Sequence, residues 1–397
     1  MLTTRNAAKA RNATKDGPVL RTSELEYDLP EERIALEPAT PRDSARLMVV
    51  SRASAEVIEH DRVSDLPRLL RAGDVLVFNT TRVLPARLIG KREDTGGAVE
   101  GLFLAIASAS AGERWTVLLK AKKVRPGMRI VLDDSTGNAS GVILTAIERV
   151  EGEAGAWIVS VEHAAGIAAL QRAGRTPLPP YILKAREHAH RVIAEQSDRD
   201  RYQTVYANEP GSVAAPTAGL HFTTELLATL SKQGVERIDA TLHVGTGTFR
   251  PVEVDIVEDH PMHTEQCSLP RESVTRILQA VREGRRVIAV GTTSARTLES
   301  YAASFESLRG AGANESEAIA RLPGSIDTRL LITPGYRWKW VSGLMTNFHL
   351  PRSTLLAMVG ALLPESSGGV GALKNLYSTA IRDGYRFYSY GDAMLVL

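Results

Sequence analysis

Between Arg82 and Val161 the chain drops the texture it has on either side. Short apolar runs, ARLIGK, AVEGLFLAIA, WTVLLKA, RIVLDD, GVILTAIE and AWIVSVE, succeed one another across Gly- and Asp-rich turns. Runs of roughly six residues with this punctuation read as antiparallel strands, and such a set closes readily into a small barrel. Beyond it, helix and strand patterns alternate. RESVTRILQAVREG has the apolar spacing of an amphipathic helix with Gly284 past its end. RRVIAVG follows as a buried strand and TTSARTLESYAASF as the next helix, a strand–loop–helix unit of an α/β sheet. The expected fold class is therefore α/β: a mixed-sheet α/β domain with an inserted small antiparallel β-barrel domain. The expected boundaries are a disordered N-terminal tail over residues 1–22, a discontinuous α/β domain over 23–80 and 162–397, and the barrel over 81–161.

Upstream, Pro30-Glu31-Glu32 reads as the first turn of a short helix that Pro38 and Pro41 break. LMVVSR and AEVIEHDRV read as two strands around a turn, and DVLVFN as a buried strand. Glu306 to Ser325, rich in Gly, Ala and Glu, reads as a surface excursion. The basic N-terminus lacks the apolar core of a secretory signal. No run approaches the ~18 apolar residues of a membrane span. A cytoplasmic monomer with no membrane partner is expected. The single cysteine, Cys267, cannot form an internal disulfide and reads as a small buried apolar residue. A net charge of +2 requires any nucleic-acid surface to be built by gathering basic residues on one face.

No phosphate loop, dinucleotide fingerprint or paired C-x-x-C is present. The chemistry lies in polar clusters at the ends of strand-like runs. In APTAGLHFT, Gly219 permits close backbone approach, and Thr217 and His221 place polar groups on a short turn. In TLHVGTGTFRPV, backbone N–H groups around Gly245 and Thr246 sit beside hydroxyls and can cradle a carboxylate or a ribose. In VIAVGTTSARTLES, Gly291, Thr292 and Thr293 lead from a strand into a helix start that suits an anionic group. MTNFHLPRSTLL offers Asn347, His349 and Ser353; RFYSYGDAMLVL offers Tyr388 and Tyr390 for stacking on a base, beside Asp392. His260 and His263 have a spacing that two metal ligands can share, but no further ligand pattern accompanies them, and no metal is expected. LLKAKKVRPGMR supplies Lys120, Lys122 and Lys123, and NTTRVLPARLIGKR supplies Arg82 and Arg87, as candidate phosphate contacts.

Taken together and in order, LPEERIALEPATPRDSARLMVV, LRAGDVLVFNTTRVLPARL, PLPPYI, DRYQTVYA, GSVAAPTAGLHFT, TLHVGTGTFRPV, HPMHTE, VIAVGTTSARTLES, TNFHLPRSTLL and RFYSYGDAML resemble the S-adenosylmethionine:tRNA ribosyltransferase-isomerases of queuosine biosynthesis. The resemblance runs from about Tyr27 to Leu397 and thins at ILKAREHAHRVIAEQ and PGSIDTRLLITPGY. It implies an α/β domain with an inserted barrel. It also implies transfer and isomerisation of the ribosyl moiety of S-adenosylmethionine onto 7-aminomethyl-7-deazaguanine in a tRNA anticodon. Epoxyqueuosine forms, and adenine and methionine leave. The implied partners are tRNA and S-adenosylmethionine, with no cofactor beyond that donor.

The matching motifs carry His221, His243, His263, Glu265 and His349 as acid–base candidates, with His221 or His243 favoured for their Gly-rich surroundings. They carry Thr217, Gly219, Phe222, Gly245, Thr246, Phe249, Gly291, Thr292, Thr293, Arg296, Asn347, Tyr390 and Asp392 toward substrate. Arg42, Arg46, Arg82, Arg87, Lys120, Lys122 and Lys123 fall toward RNA. Two readings from other classes stay open: an RNA-binding or RNA-chaperone protein without catalysis, and a metal-dependent hydrolase using His260 and His263.

Overall fold

Strand Val75–Asn79 is apolar along nearly its whole length and buried at every position. That is the signature of a strand covered on both faces. It lies near the middle of a nine-stranded sheet in a computed structural model that describes residues 19–108, 113–163, 166–245 and 252–397. Glu236–Leu242 and Val287–Val290 flank it in parallel, and Gly343–Asn347 extends the parallel set. Ala393–Val396 then runs antiparallel to Gly343–Asn347 and parallel to Arg46–Val50, which pairs with Val57–Arg62 as the hairpin read from the sequence. At the other edge Glu265–Ser268 and Ser325–Thr328 add antiparallel strands.

Alternation along these strands feeds two cores. Val75, Val77, Val287 and Ala289 pack with Val274 and Ile277 of helix Arg271–Arg282 and with Leu298 and Tyr301 of helix Thr292–Gly310. Leu76, Phe78, Ile288 and Val290 face the opposite core with Leu226 and Leu230 of helix Thr224–Lys232. The four-residue period of those helices and the two-residue period of the strands thus meet on both sides of one sheet. Cys267 is buried in the first core, as read.

After Asn79 the chain leaves this sheet and builds the barrel. Arg87–Arg92, Ala98–Ser108, Arg114–Lys120, Ala156–Glu162, Ala139–Arg149 and Arg129–Asp133 pair in that order, and Gly90 opposite Leu132 closes the ring. Inward residues Phe103, Trp115, Val117, Leu144 and Val159 fill it. Helix Gly166–Ala173 packs Ala169, Leu170 and Ala173 into this same core, and Gly174–Arg175 pairs with the strand at Arg87. The barrel side of the chain therefore extends past Val161.

Three local expectations differ from the structure. Leu20 and Thr22 are buried and Arg21 bridges to Ile256, so the end of the expected tail is part of the fold; residues 1–18 lie outside the described residues. The turn after Pro30 is a single 3-10 turn, Glu31–Arg33. The excursion from Glu306 is not confined to the surface. It finishes the long helix and adds Glu315–Arg321, capped by the Asn314 side chain on the Glu317 amide at 2.9 Å. Ala318 and Leu322 enter the main core. A few apolar side chains among many charges, Ala313 with these two, fall below what composition registers.

Candidate active site

Parallel strands end with their carbonyl edges on one side, and the loops after them are where an open α/β sheet places a ligand. Here Val244, the Gly291–Thr293 turn and the stretch Thr346–Leu350 follow three such strands and line one cleft of about 640 Å³, open mouth included. Thr217 closes it from the APTAGLHFT turn, and Tyr181, Tyr388 and Ser389 from the far wall. The Tyr181 and Tyr388 rings meet at 4.7 Å.

Asn347 sits 2% exposed at the cleft. Its Nδ2 lies 3.2 Å from the Tyr388 carbonyl and 3.1 Å from His221 Nε2. A carbonyl only accepts, so the amide nitrogen must be the atom facing it. That nitrogen then donates to His221 Nε2 as well, which places the His221 proton on Nδ1. Asn347 Oδ1 is left buried with no hydrogen-bond partner among the described residues, and so is Thr293 Oγ1 on the facing helix start. Buried polar atoms without partners are costly, so two of them lining one cleft mark places that a ligand completes.

His349 is the acid–base candidate that lines this cleft, with Nε2 at 2.7 Å from Thr346 Oγ1. Burial lowers its imidazole to about 3 and that of His221 to about 4, so both are neutral at pH 7. The His221 value gives a stability prediction. Its folded pKa lies below the ordinary 6.5. Between these two values the unfolded chain binds a proton that the native state does not. The contribution of His221 is complete above pH 6.5 and is lost as pH falls toward 4, by roughly 3 kcal/mol. Urea unfolding across that range should show the loss, and His221→Gln should remove it; an identical pH slope in the variant refutes the assignment.

The remaining candidates fall in five groups. His243 donates its backbone N–H to the Gln266 carbonyl and holds Thr81 Oγ1 at 2.9 Å through Nδ1. Its ring packs so closely on Gly211 that a Cβ there would meet it at 2.8 Å. His260, His263, Glu265 and Arg296 line a second cleft of about 440 Å³ that shares Leu355 with the first. There Glu265 accepts from Arg296 Nη1 and from the Gly245 amide at 3.1 Å. Thr246 and Phe249 lie outside the described residues. No three His, Cys, Asp or Glu side chains gather as a metal site among the described residues.

Four residues read toward substrate have close partners within the fold. Gly219 is required because a Cβ would stand 2.0 Å from the Tyr206 hydroxyl. Phe222 is fully buried against Phe78 at 4.9 Å. Tyr390 is 1% exposed and packs edge-on to Tyr202. Asp392 accepts from the Arg386 and Arg46 amides at 2.8 and 3.1 Å and pairs with the Arg386 guanidinium. Among the basic residues, Arg42 donates to the Gln203 and Asp200 carbonyls, Arg46 donates to the Asp383 carbonyl and stacks on Tyr385 at 3.8 Å, and Arg87 pairs with Glu100. Arg82 is exposed while donating to the Ala207 carbonyl. Lys120, Lys122 and Lys123 are exposed at one barrel loop. Sequence reading passed over Thr346 and Ser389 as site residues; both are short hydroxyls whose only signal was that they lie inside the quoted motifs.

A family profile described as "Queuosine biosynthesis protein" matches residues 22–396. The chain belongs to that family. It is 46% identical over 381 residues to the S-adenosylmethionine:tRNA ribosyltransferase-isomerase of Symbiobacterium thermophilum, covering 95% of this chain and 100% of the relative. It is 46% identical over 380 residues to the protein of that name from an Anaeromyxobacter species, covering 95% and 99%. A crystal structure titled S-adenosylmethionine tRNA ribosyltransferase, from Thermotoga maritima, is 30% identical, covers 94% of this chain and 100% of its own, and superposes with a TM-score of 0.48. Membership of the family makes the chain a transferase–isomerase. No helix among the described residues is long and apolar enough to cross a membrane.

Proposed function

We propose that the enzyme moves the ribosyl moiety of S-adenosylmethionine onto 7-aminomethyl-7-deazaguanine in a tRNA anticodon, isomerising it to epoxyqueuosine and releasing adenine and methionine. It acts as a cytoplasmic monomer with no further cofactor. The observation that carries this is the cleft at the strand ends, where a neutral imidazole stands beside two buried polar atoms that lack partners. A sulfonium acidifies the protons on its neighbouring carbons. A neutral His349 that takes one becomes an imidazolium while the donor becomes an ylide, its carbanion beside the sulfonium, so the net charge of the site is unchanged. That conservation matters because burial disfavours a new charge here. Asn347 Oδ1, held by His221 and Tyr388, accepts an N–H of the donor's base, and Thr293 Oγ1 supplies the second contact.

The exposed lysines of the barrel loop support the tRNA half of this reading. Replacing Lys122 and Lys123 with alanine should weaken tRNA binding and reduce its salt slope by about one to two units. An unchanged slope moves the RNA path elsewhere. The function itself is tested by adenine release from S-adenosylmethionine in the presence of precursor-bearing tRNA. Release that depends on that tRNA is expected; folded protein that binds the tRNA yet releases no adenine is the non-catalytic alternative.

A further inference from the structure

The second cleft has a chemistry the main cleft lacks. Arg296 lies one turn beyond Thr293 on the same helix and lines it, 4% exposed. Its Nε donates to the Leu330 carbonyl at 3.2 Å and its Nη1 to Glu265. Its Nη2 is buried with no hydrogen-bond partner among the described residues. The cleft it lines is walled by Met262, Leu331, Ile332 and Met358 together with the polar side chains of His260, His263 and Thr354. A buried guanidinium with unpartnered N–H groups at the wall of such a cleft is suited to receive a carboxylate.

Charge then narrows the class. Glu265 already balances Arg296, so a simple anion would bring an uncompensated negative charge into a buried place. A zwitterion brings its own cation. We propose that this cleft binds the α-amino-acid end of the donor, with its carboxylate on Arg296 Nη2 and the two methylenes of its side chain among the methionine and leucine side chains. The inference rests on the donor reading above. It divides the donor between two clefts that meet at Leu355, base and ribose on one side and amino acid on the other. The Gly291–Thr293 turn is then left for the nucleoside half, and the carboxylate goes to the arginine one turn away.

Calorimetry on the full chain with L-methionine, 3-(methylthio)propylamine and adenine tests this. The amine is methionine without its carboxylate and should bind roughly ten- to a hundredfold more weakly. Arg296→Lys should weaken L-methionine binding and raise the KM for S-adenosylmethionine by a similar factor, with adenine affinity unchanged. Should the lysine variant fail to fold, Leu331→Trp, which fills the slot without touching the ion pair, should give the same split between methionine and adenine. Equal binding of methionine and the amine, or folded variants with unaltered methionine affinity and KM, overturns the proposal. Those outcomes with adenine release intact leave the ribosyl-transfer reading standing. No release by wild type, with methionine binding still dependent on Arg296, sinks that reading alone.

Discussion

His349→Ala is expected to lower kcat by roughly 10²–10⁴-fold, with the KM for S-adenosylmethionine and the affinity for tRNA little changed. The side chain lines the main cleft, and its Nε2 meets Thr346 Oγ1. The backbone around it is held independently. Its amide donates to the Tyr377 hydroxyl at 3.0 Å, and its carbonyl accepts from the Tyr27 hydroxyl. Removing the imidazole therefore takes away a proton acceptor and leaves its mounting in place. His221→Ala should behave differently, because that ring acts through Asn347. Its main effect should be on the KM for the donor, since Asn347 loses one of the two acceptors that fix its amide. A near wild-type kcat for His349→Ala, measured by single-turnover adenine release, would transfer the base to another residue. Glu265 and His263 in the neighbouring cleft are the nearest alternatives.

Asp198→Ala should destabilise the protein by about 3–5 kcal/mol, the cost of leaving one partner of a buried ion pair alone. Arg186 donates to both carboxylate oxygens at 2.7 and 2.8 Å and also to the Leu36 carbonyl, with both side chains buried. The pair ties helix Pro180–His188 to helix Glu195–Arg201. Tyr181, one wall of the main cleft, is the second residue of that first helix. Activity should therefore fall along with stability, and at temperatures where the variant is folded the KM for the donor should rise. Thermal melts with and without S-adenosylmethionine measure both effects. A melting temperature within a degree or two of wild type would show that the guanidinium finds another partner.

The parts of the fold legible in the sequence were those where side-chain period and burial agree. Arg114–Lys120 alternates inward and outward as its sequence alternates. Val75–Asn79 is apolar throughout because both faces are covered. The strand-end clusters were legible for a related reason, since glycine and short hydroxyl residues collect where backbone must turn beside a ligand. What the sequence withheld is the direction in which each group points. Asp392 and Arg46 were read toward substrate and RNA because they stand in matching motifs, and each meets a partner far off in sequence. Phe222 stands beside His221 in the same motif and turns into the opposite core. The division into two clefts depends on how Leu355 and the helix from Thr292 are placed by the whole sheet, which no local pattern encodes.

Strand Ala393–Val396 lies between Gly343–Asn347 and Arg46–Val50. The hairpin that begins at Arg46 is made well before the strand that is its next neighbour in the sheet among the described residues; Arg46 and Asp392 are 346 positions apart. On the ribosome that hairpin waits with an unpaired edge while the barrel, whose pairings are all more local, can already close. Assembly of the strand ends that hold Asn347 and His349 thus waits on a pairing between segments 346 positions apart. A partly made chain should carry a finished barrel, with the exposed lysines of its loop, before it carries a working cleft.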